Sequence, residues 1–405
     1  MTRGALPQNH TEKSGTLFES FQTVGDWATN VGGMGDGTIA SDTDHVIEGA
    51  QSIKVTPLTA GSAVCVGKVV SSKLFHADRN MGLDVYLHTD PVEYGSIWIY
   101  ISASSTLGSY MYQQVNVSAY NLRKGWNRIP LNAQDWVNTA TSWGATMIKL
   151  ALRFTGAAGK IPSISFGSLK LGYKGKPKCL IMFDAGYDTG YSEGVVYAQS
   201  KGIKGTIYTY PEAIGIAGRI TTAQLADSYA KGWAVGNYPI GWLDAGVTAS
   251  QSTAQAELER VRDALNSMGY TRASSHVAYP IGAYTDSTDL SMSASGMKTG
   301  RAGDNRQYLP LYTPYRLGRY SMGATVTLAT AKGYLTTAKK LGIPVAFLFH
   351  TLTSTPTGND WSIANFQALI NLAIAMGFDF QTIDEFYEGL TNPRYRSIPV
   401  NRTLS

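Results

Sequence analysis

Apolar and polar positions follow two different rhythms along this chain. From residue 16 to about 173 they alternate with period two, in short runs bounded by Gly, Asn, Asp and Ser; Ser52–Val55, Gly82–Leu87, Ser96–Ala103 and Ser109–Val117 are examples. Alternation in short, regularly spaced runs predicts an all-β domain, a β-sandwich or jelly roll. Within Ser96–Ala103, Ile97, Ile99 and Ile101 share one face, with Trp98 and Tyr100 on the other. Within Ser109–Val117, Met111, Gln113, Val115 and Val117 oppose Tyr110, Tyr112, Gln114 and Asn116. The aliphatic faces are assigned to the core. The face carrying Trp98, Tyr100, Tyr110 and Tyr112 reads either as a platform for sugar rings or as cross-strand aromatic pairing or a subunit interface.

Beyond a short basic Gly/Pro linker at 174–178, strands alternate with helices. Strands are expected at 178–184, 204–209, 233–238, 276–280, 300–303, 316–321, 345–350 and 379–383. Helices are expected at 191–202, 221–231, 250–268, 327–341, 361–376 and 384–390. In the helix at 250–268, Ala254, Leu258, Val261 and Leu265 recur at helical spacing behind a Ser250 or Thr248 cap. Such an alternation predicts an irregular (β/α) barrel over 179–390. Residues 1–15 read as a flexible arm and 391–405 as an extended tail. The fold class is therefore α/β plus all-β.

Composition narrows the function classes. Apolar residues make up 43% of the 405 positions and charged ones 16%, which suits sizeable cores rather than global disorder. The net charge of +5 is spread without a Lys/Arg block, so nucleic acid is not an expected partner. No run approaches about 18 consecutive apolar residues, so no membrane-spanning helix is expected, and the first ten residues carry no apolar core of a signal peptide. The two cysteines, Cys65 and Cys179, both stand in apolar segments and read as buried thiols.

The candidate chemistry centres on residues 181–186, Ile-Met-Phe-Asp-Ala-Gly. An apolar run that ends abruptly in Asp184 is how a buried parallel strand delivers a carboxylate to the open end of a barrel.

The hexapeptide resembles the first motif of the polysaccharide deacetylases, carbohydrate esterase family 4, which reads Thr-Phe-Asp-Asp-Gly. The resemblance runs over about 178–390. Gly202–Thr206, Ile220–Leu225, Lys231–Tyr238, Tyr279–Tyr284, the strand ending in His350 and the stretch from Gly377 to Phe386 follow in the family's order. Gly49–Val55 and Gly125–Leu131 resemble strands of carbohydrate-binding-module jelly rolls. In the deacetylases a divalent metal is held by one Asp and two His, the first Asp is the base and the last-motif His is the acid. By resemblance Asp184 and His350 keep the base and acid positions, while the three ligand positions read Ala185, Tyr238 and Trp242. Alanine has no donor, indole nitrogen no accessible lone pair, and phenol is a poor ligand near its usual pKa of roughly 10. No metal and no other cofactor is therefore expected.

Two uses of such a site remain open. Tyr187, Tyr238, Trp242, Tyr279 and Tyr284 are expected to ring the cleft, stacking on sugar faces, with Tyr238 and Trp242 also filling the space of the metal. That reading predicts recognition of a bacterial surface polysaccharide, with a phage tail spike or fibre in host attachment as its setting. Its location would be the virion or the extracellular space, its partners other virion proteins, and its assembly a homotrimer. The alternative is a carbohydrate N- or O-deacetylase using Asp184 and His350 with Arg319 or Arg301 as charge stabiliser; without a Lewis acid it loses carbonyl polarisation worth several kcal/mol. On a third reading the barrel is only a scaffold in a structural virion protein. Asp184 and His350 are otherwise expected as a buried ion pair or hydrogen bond that orders the strand ends.

Overall fold

A computed structural model describes residues 16–74, 80–118, 120, 122–132, 135–171, 177–241, 250–303 and 314–391. They fall into two compact units, one within 13–175 and one within 176–405. Residues 1–15 and 392–405, Trp242 and Thr248 lie outside the described residues, and Thr391, expected to open the tail, ends the helix Ile383–Thr391.

The first unit is a β-sandwich of antiparallel strands. One sheet runs in the order Gly37–Asp42, Ser52–Pro57, Ile164–Leu171, Met81–Leu87, Gly125–Leu131, and Thr16–Glu19 pairs with Ile164–Leu171. The other runs Ala63–Leu74, Thr146–Gly156, Tyr94–Ser102, Tyr110–Asn116, Val137–Thr139. Register follows the alternation in the sequence: Ile97, Ile99, Ile101, Met111, Val115 and Val117 are all buried, and so is Gln113. Tyr100 and Tyr112 are direct cross-strand partners, as are Ser102 and Tyr110. The rings of Tyr100, Tyr110 and Tyr112 contact one another, Tyr100 buried and Tyr110, Tyr112 and Trp98 partly exposed. Arg153 lies over the Trp98 ring at 4.5 Å. Cys65 is a buried free thiol, pushed up to about 12 by its apolar surroundings.

The second unit is a curled parallel sheet with strand order Thr299–Arg301, Ala273–Ala278, Ala234–Asn237, Thr206–Thr209, Lys178–Phe183, Val345–Phe349, Tyr320–Ser321; Asp379–Phe380 also pairs with Lys178–Phe183. Its two edges meet. Leu317, just before the last strand of that order, donates its N–H to the Gly300 carbonyl at 2.7 Å and accepts the Ala302 N–H at 2.8 Å. The curled sheet is therefore a half-barrel whose edges are joined by one parallel bridge, with Arg301 at that seam. All six residues of Lys178–Phe183 are buried, the signature of a parallel strand covered on both faces. Gly300 beside the seam has no room for a side chain, because a Cβ there would stand 2.0 Å from the Tyr279 hydroxyl.

Local signals fix the helices. Thr221 and Gln224 form a reciprocal capping box at helix Thr222–Ala230, and Ser250 caps helix Gln251–Ser267 through the Thr253 N–H. Ala254, Leu258, Val261 and Leu265 form the buried face of the second of these helices. The segment expected as one helix at 191–202 begins instead as a wider π-turn, Gly190–Val195, before Val196–Ser200 tightens to α. Gly194 packs there against the Phe183 ring, where an added Cβ would approach to 2.3 Å, and the wider turn accommodates that approach.

His276 is wholly enclosed in the barrel wall. Its Nδ1 lies 2.9 Å from the Thr299 hydroxyl, and Nε2 has no partner among the described residues. Burial, with a smaller contribution from Lys298, pushes its pKa down to about 3. The unfolded imidazole titrates near 6.5, so the unfolded chain binds the extra proton first as pH falls. Stability is then full above about pH 6.5 and falls below it by up to about 1.4 kcal/mol per pH unit. His276→Gln is expected to remove that contribution; denaturant titrations of the barrel transition between about pH 4 and pH 7 check it, and an unchanged acid slope would refute it.

Candidate functional site

The strand Lys178–Phe183 ends at the mouth of the barrel, and its register is set on both sides. Phe183 pairs with Phe349 and with Ile207. Asp184 then donates its N–H to the Phe349 carbonyl at 3.0 Å, so the carboxylate is placed by the last rung of the ladder. The chain turns at once: Ala185 and Gly186 both adopt left-handed conformations, each at φ 59°. Gly186 has to be glycine, since a Cβ would stand 2.8 Å from the Thr209 hydroxyl. Ala185 carries a strain of roughly 1–2 kcal/mol in that conformation. Contacts to the next loop hold it: Arg219 donates from Nη1 to the Ala185 carbonyl at 2.8 Å, and the Ile220 N–H donates to the Gly186 carbonyl at 2.7 Å. The Arg219 guanidinium also lies 3.8 Å over the Tyr187 ring.

Asp184 is 3% exposed and Arg301 1% exposed. Arg301 Nη2 donates to Asp184 Oδ2 at 2.5 Å. Asp184 Oδ1 and the Nε and Nη1 of Arg301 have no hydrogen-bond partner among the described residues. The guanidinium sits 5.2 Å over the Tyr208 ring, whose buried hydroxyl is also unpartnered. His350 follows the strand Val345–Phe349, with a buried and unpartnered Nδ1 and its ring edge-on to Tyr187 at 6.4 Å. Burial lowers its pKa, Arg301 and Arg319 lower it further, and Asp184 opposes them. The expected Asp184–His350 hydrogen bond is therefore corrected. The guanidinium, with its fixed fork of donors, takes the carboxylate oxygen, and the imidazole is held neutral beside it.

Tyr238 follows Ala234–Asn237 and stacks on Tyr210 at 6.2 Å. It packs in the same apolar cluster as Ala185, Tyr208 and Leu317, with Tyr187 against that cluster. Burial, then the charge of Asp184, raises its phenol well above the ordinary range, so it is a neutral donor. Tyr279 and Tyr284 do not join this group. Tyr279 is 1% exposed, its hydroxyl donates to the Tyr315 carbonyl at 2.7 Å, and it packs with Tyr284, Leu258 and Met292 in a different cluster. The expectation that Tyr279 lines the cleft is corrected: the close approach at Gly300 draws its hydroxyl into the wall. Arg319 comes close to Gly282, with Nη2 3.0 Å from where a Cβ would stand.

The group around Asp184 thus holds Arg301, His350, Tyr187, Tyr208, Tyr210, Tyr238 and Arg219. The sequence reading missed Tyr208, Tyr210 and Arg219. For the tyrosines a signal existed, their position at the C-terminal end of a barrel strand; for Arg219, in a loop, none did. No three His, Cys, Asp or Glu side chains converge around Asp184 among the described residues. Among the described residues, a methyl group, a neutral phenol and a guanidinium stand beside the carboxylate.

Residues 172–300 match the polysaccharide deacetylase family. No curated protein matches the chain. Among solved structures, the Xyl-CE4 domain of a multidomain xylanase from the hindgut metagenome of Trinervitermes trinervoides is similar over 53% of this chain and 91% of its own, at 12% identity and TM-score 0.38. The Streptococcus pyogenes deacetylase PplD, in complex with acetate, is similar over 38% of this chain and 69% of its own, at 16% identity and TM-score 0.33. A family 11 carbohydrate-binding module from Clostridium thermocellum, in complex with a β-1,3-1,4-mixed-linked tetrasaccharide, is similar over 38% of this chain and 94% of its own, at 11% identity and TM-score 0.29.

In the deacetylase-like domain the buried pair is a two-sided structural commitment. Removing one partner of such a pair strands the other charge and costs about 3–5 kcal/mol, whereas an apolar replacement of both is far milder. Asp184→Leu and Arg301→Met are each expected to lose stability in that range, and the double variant to recover most of it. Equilibrium unfolding of the three variants measures this, and additive losses would contradict it.

Proposed function

We propose that the deacetylase-like domain recognises a polysaccharide at the C-terminal ends of its barrel strands and does not hydrolyse it through a metal. The observation that carries this reading is the Asp184–Arg301 pair: the carboxylate at the family's base position is already bonded to a buried cation. With Ala185 and a neutral Tyr238 at ligand positions in the resemblance, we read the metal site as lost. Trp242, which aligns with the third position, lies outside the described residues. Tyr187, partly exposed with Arg219 over one ring face, offers its other face to sugar C–H surfaces and its phenol to hydroxyls, above the buried Tyr238 phenol. Ile281 supports the same reading. It is 73% exposed and held at φ 51°, a costly conformation for a β-branched residue, next to the turn after strand Ala273–Ala278.

A metal-free esterase is the second reading, favoured by the open valence on Asp184 Oδ1 beside His350. Two features weigh against it. Asp184 Oδ2 is occupied, and burial with the nearby Arg301 and Arg319 lowers the pKa of His350, which disfavours the protonated form a general acid needs. The sandwich is proposed as a second sugar-binding surface through Trp98, Tyr110 and Tyr112. The phage-tail setting and the homotrimer belong to the proposal on the sequence reading alone, and light scattering on the purified chain tests the trimer.

Two assays separate the readings. On acetylated glycans, acetate release is expected to stay at the protein-free level with added zinc and with chelator alike. On a glycan array, binding is expected to be present and to weaken about tenfold, ~1.4 kcal/mol, in Tyr187→Ala or Trp242→Ala. Turnover abolished by Asp184→Asn would replace recognition with the esterase reading, and absence of any glycan binding would leave the scaffold reading.

A further inference from the structure

The sandwich unit carries a second group of chemistry-bearing side chains that the sugar reading does not use. Asp42 closes strand Gly37–Asp42, His45 stands three residues on in the following loop, and His88 immediately follows strand Met81–Leu87. Asp42 Oδ2 lies 3.0 Å from His45 Nδ1 and 3.4 Å from His88 Nε2. One ligand atom from each of the three residues lies within 4.8 Å of the others. A tetrahedral ion with bonds of about 2.0–2.1 Å needs ligand atoms roughly 3.3–3.5 Å apart, so the two measured edges are already near the required length.

The carboxylate is oriented before any ion arrives. The backbone N–H groups of Asp44 and His45 donate to Oδ1 at 3.1 and 3.0 Å, while His45 Nδ1 lies 3.1 Å from Oδ1 and 3.0 Å from Oδ2, and Oδ2 is the oxygen that also faces His88. The Ser165 hydroxyl donates to Oδ2 at 2.5 Å and accepts from His88 Nε2 at 2.7 Å, so it bridges two of the candidate ligand atoms, and an entering ion replaces those two hydrogen bonds. The His45 ring rests on Tyr86 with centroids 3.8 Å apart, and Tyr86 lies edge-on to His88. Asp42 is buried, but the His45 and His88 side chains are 30% and 15% exposed, so an ion can enter from solvent and a water can complete the shell.

We propose that Asp42, His45 and His88 form a site for a borderline divalent cation, with zinc as the best-fitting ion. Two imidazoles and one carboxylate suit zinc, copper or nickel, while calcium and magnesium demand an oxygen shell that this group does not offer. Binding needs no loss of a ligand, since each neutral imidazole can carry its remaining proton on the other ring nitrogen. The bound ion would tie the loop after Gly37–Asp42 to the end of Met81–Leu87, so its role is to fix that edge of the sandwich.

Calorimetric titration of the tag-free full chain with zinc chloride tests the site. One equivalent is expected to bind, with no heat from calcium chloride at the same concentration. His45→Ala and His88→Ala should each weaken zinc binding more than tenfold. Because a variant could fail to fold, cobalt substitution of the wild-type chain supplies a second readout: the visible absorption of a four-coordinate ion is expected at one equivalent, and to vanish on adding zinc. Absence of zinc binding, equal binding by a folded His45→Ala/His88→Ala chain, or equal binding of calcium would each overturn the proposal.

Discussion

Everything at the barrel mouth is arranged around one buried ion pair. Asp184 is delivered by the central strand and Arg301 by the strand at the seam, so the hydrogen bond between them joins the middle of the sheet to that seam. Neither group tolerates isolation where it lies, because an unpaired charge in an apolar wall costs several kcal/mol. The pair therefore constrains its neighbours. His350 is held neutral between Arg301, Arg319 and Asp184, the phenol of Tyr238 keeps its proton beside the carboxylate, and the Tyr208 ring lies beneath the guanidinium.

The same constraint underlies the proposal that this site takes no metal. A cation-binding carboxylate needs other anionic or lone-pair donors beside it and no resident positive charge. Here the charge beside Asp184 is already balanced by a group that cannot lose its proton. The open valences that remain are donors on Arg301, one carboxylate oxygen and a neutral imidazole nitrogen. These atoms are buried, so under the proposed function the partly exposed Tyr187 at the edge of the group is what meets a sugar.

Much of the architecture was legible in the sequence. The switch from period two to strand–helix alternation reported two kinds of structure, and the aliphatic faces of Ile97–Ile101 and Met111–Val117 are the core that alternation implies. The position of Asp184 at a strand end was visible for the same reason. What was not legible depended on contacts between distant segments. Arg301 could be named as a cation, but its pairing with Asp184 needs the sheet to curl until its edges meet. Tyr279 carried the residue type of a cleft aromatic, and only the glycine at 300 explains why its hydroxyl turns into the wall. His45 and His88 lie 43 positions apart in the chain, with no motif spacing to join them, and meet at Asp42 only when the sheet forms.

The central proposal is that Asp184, held by the Arg301 guanidinium, takes no metal ion. Anomalous diffraction at the zinc edge, from crystals of the full chain soaked in zinc, tests it most directly. The account predicts no anomalous peak beside Asp184 and an undisturbed Asp184–Arg301 hydrogen bond. A peak within about 2.0–2.2 Å of the Asp184 carboxylate, with Arg301 displaced, would contradict it.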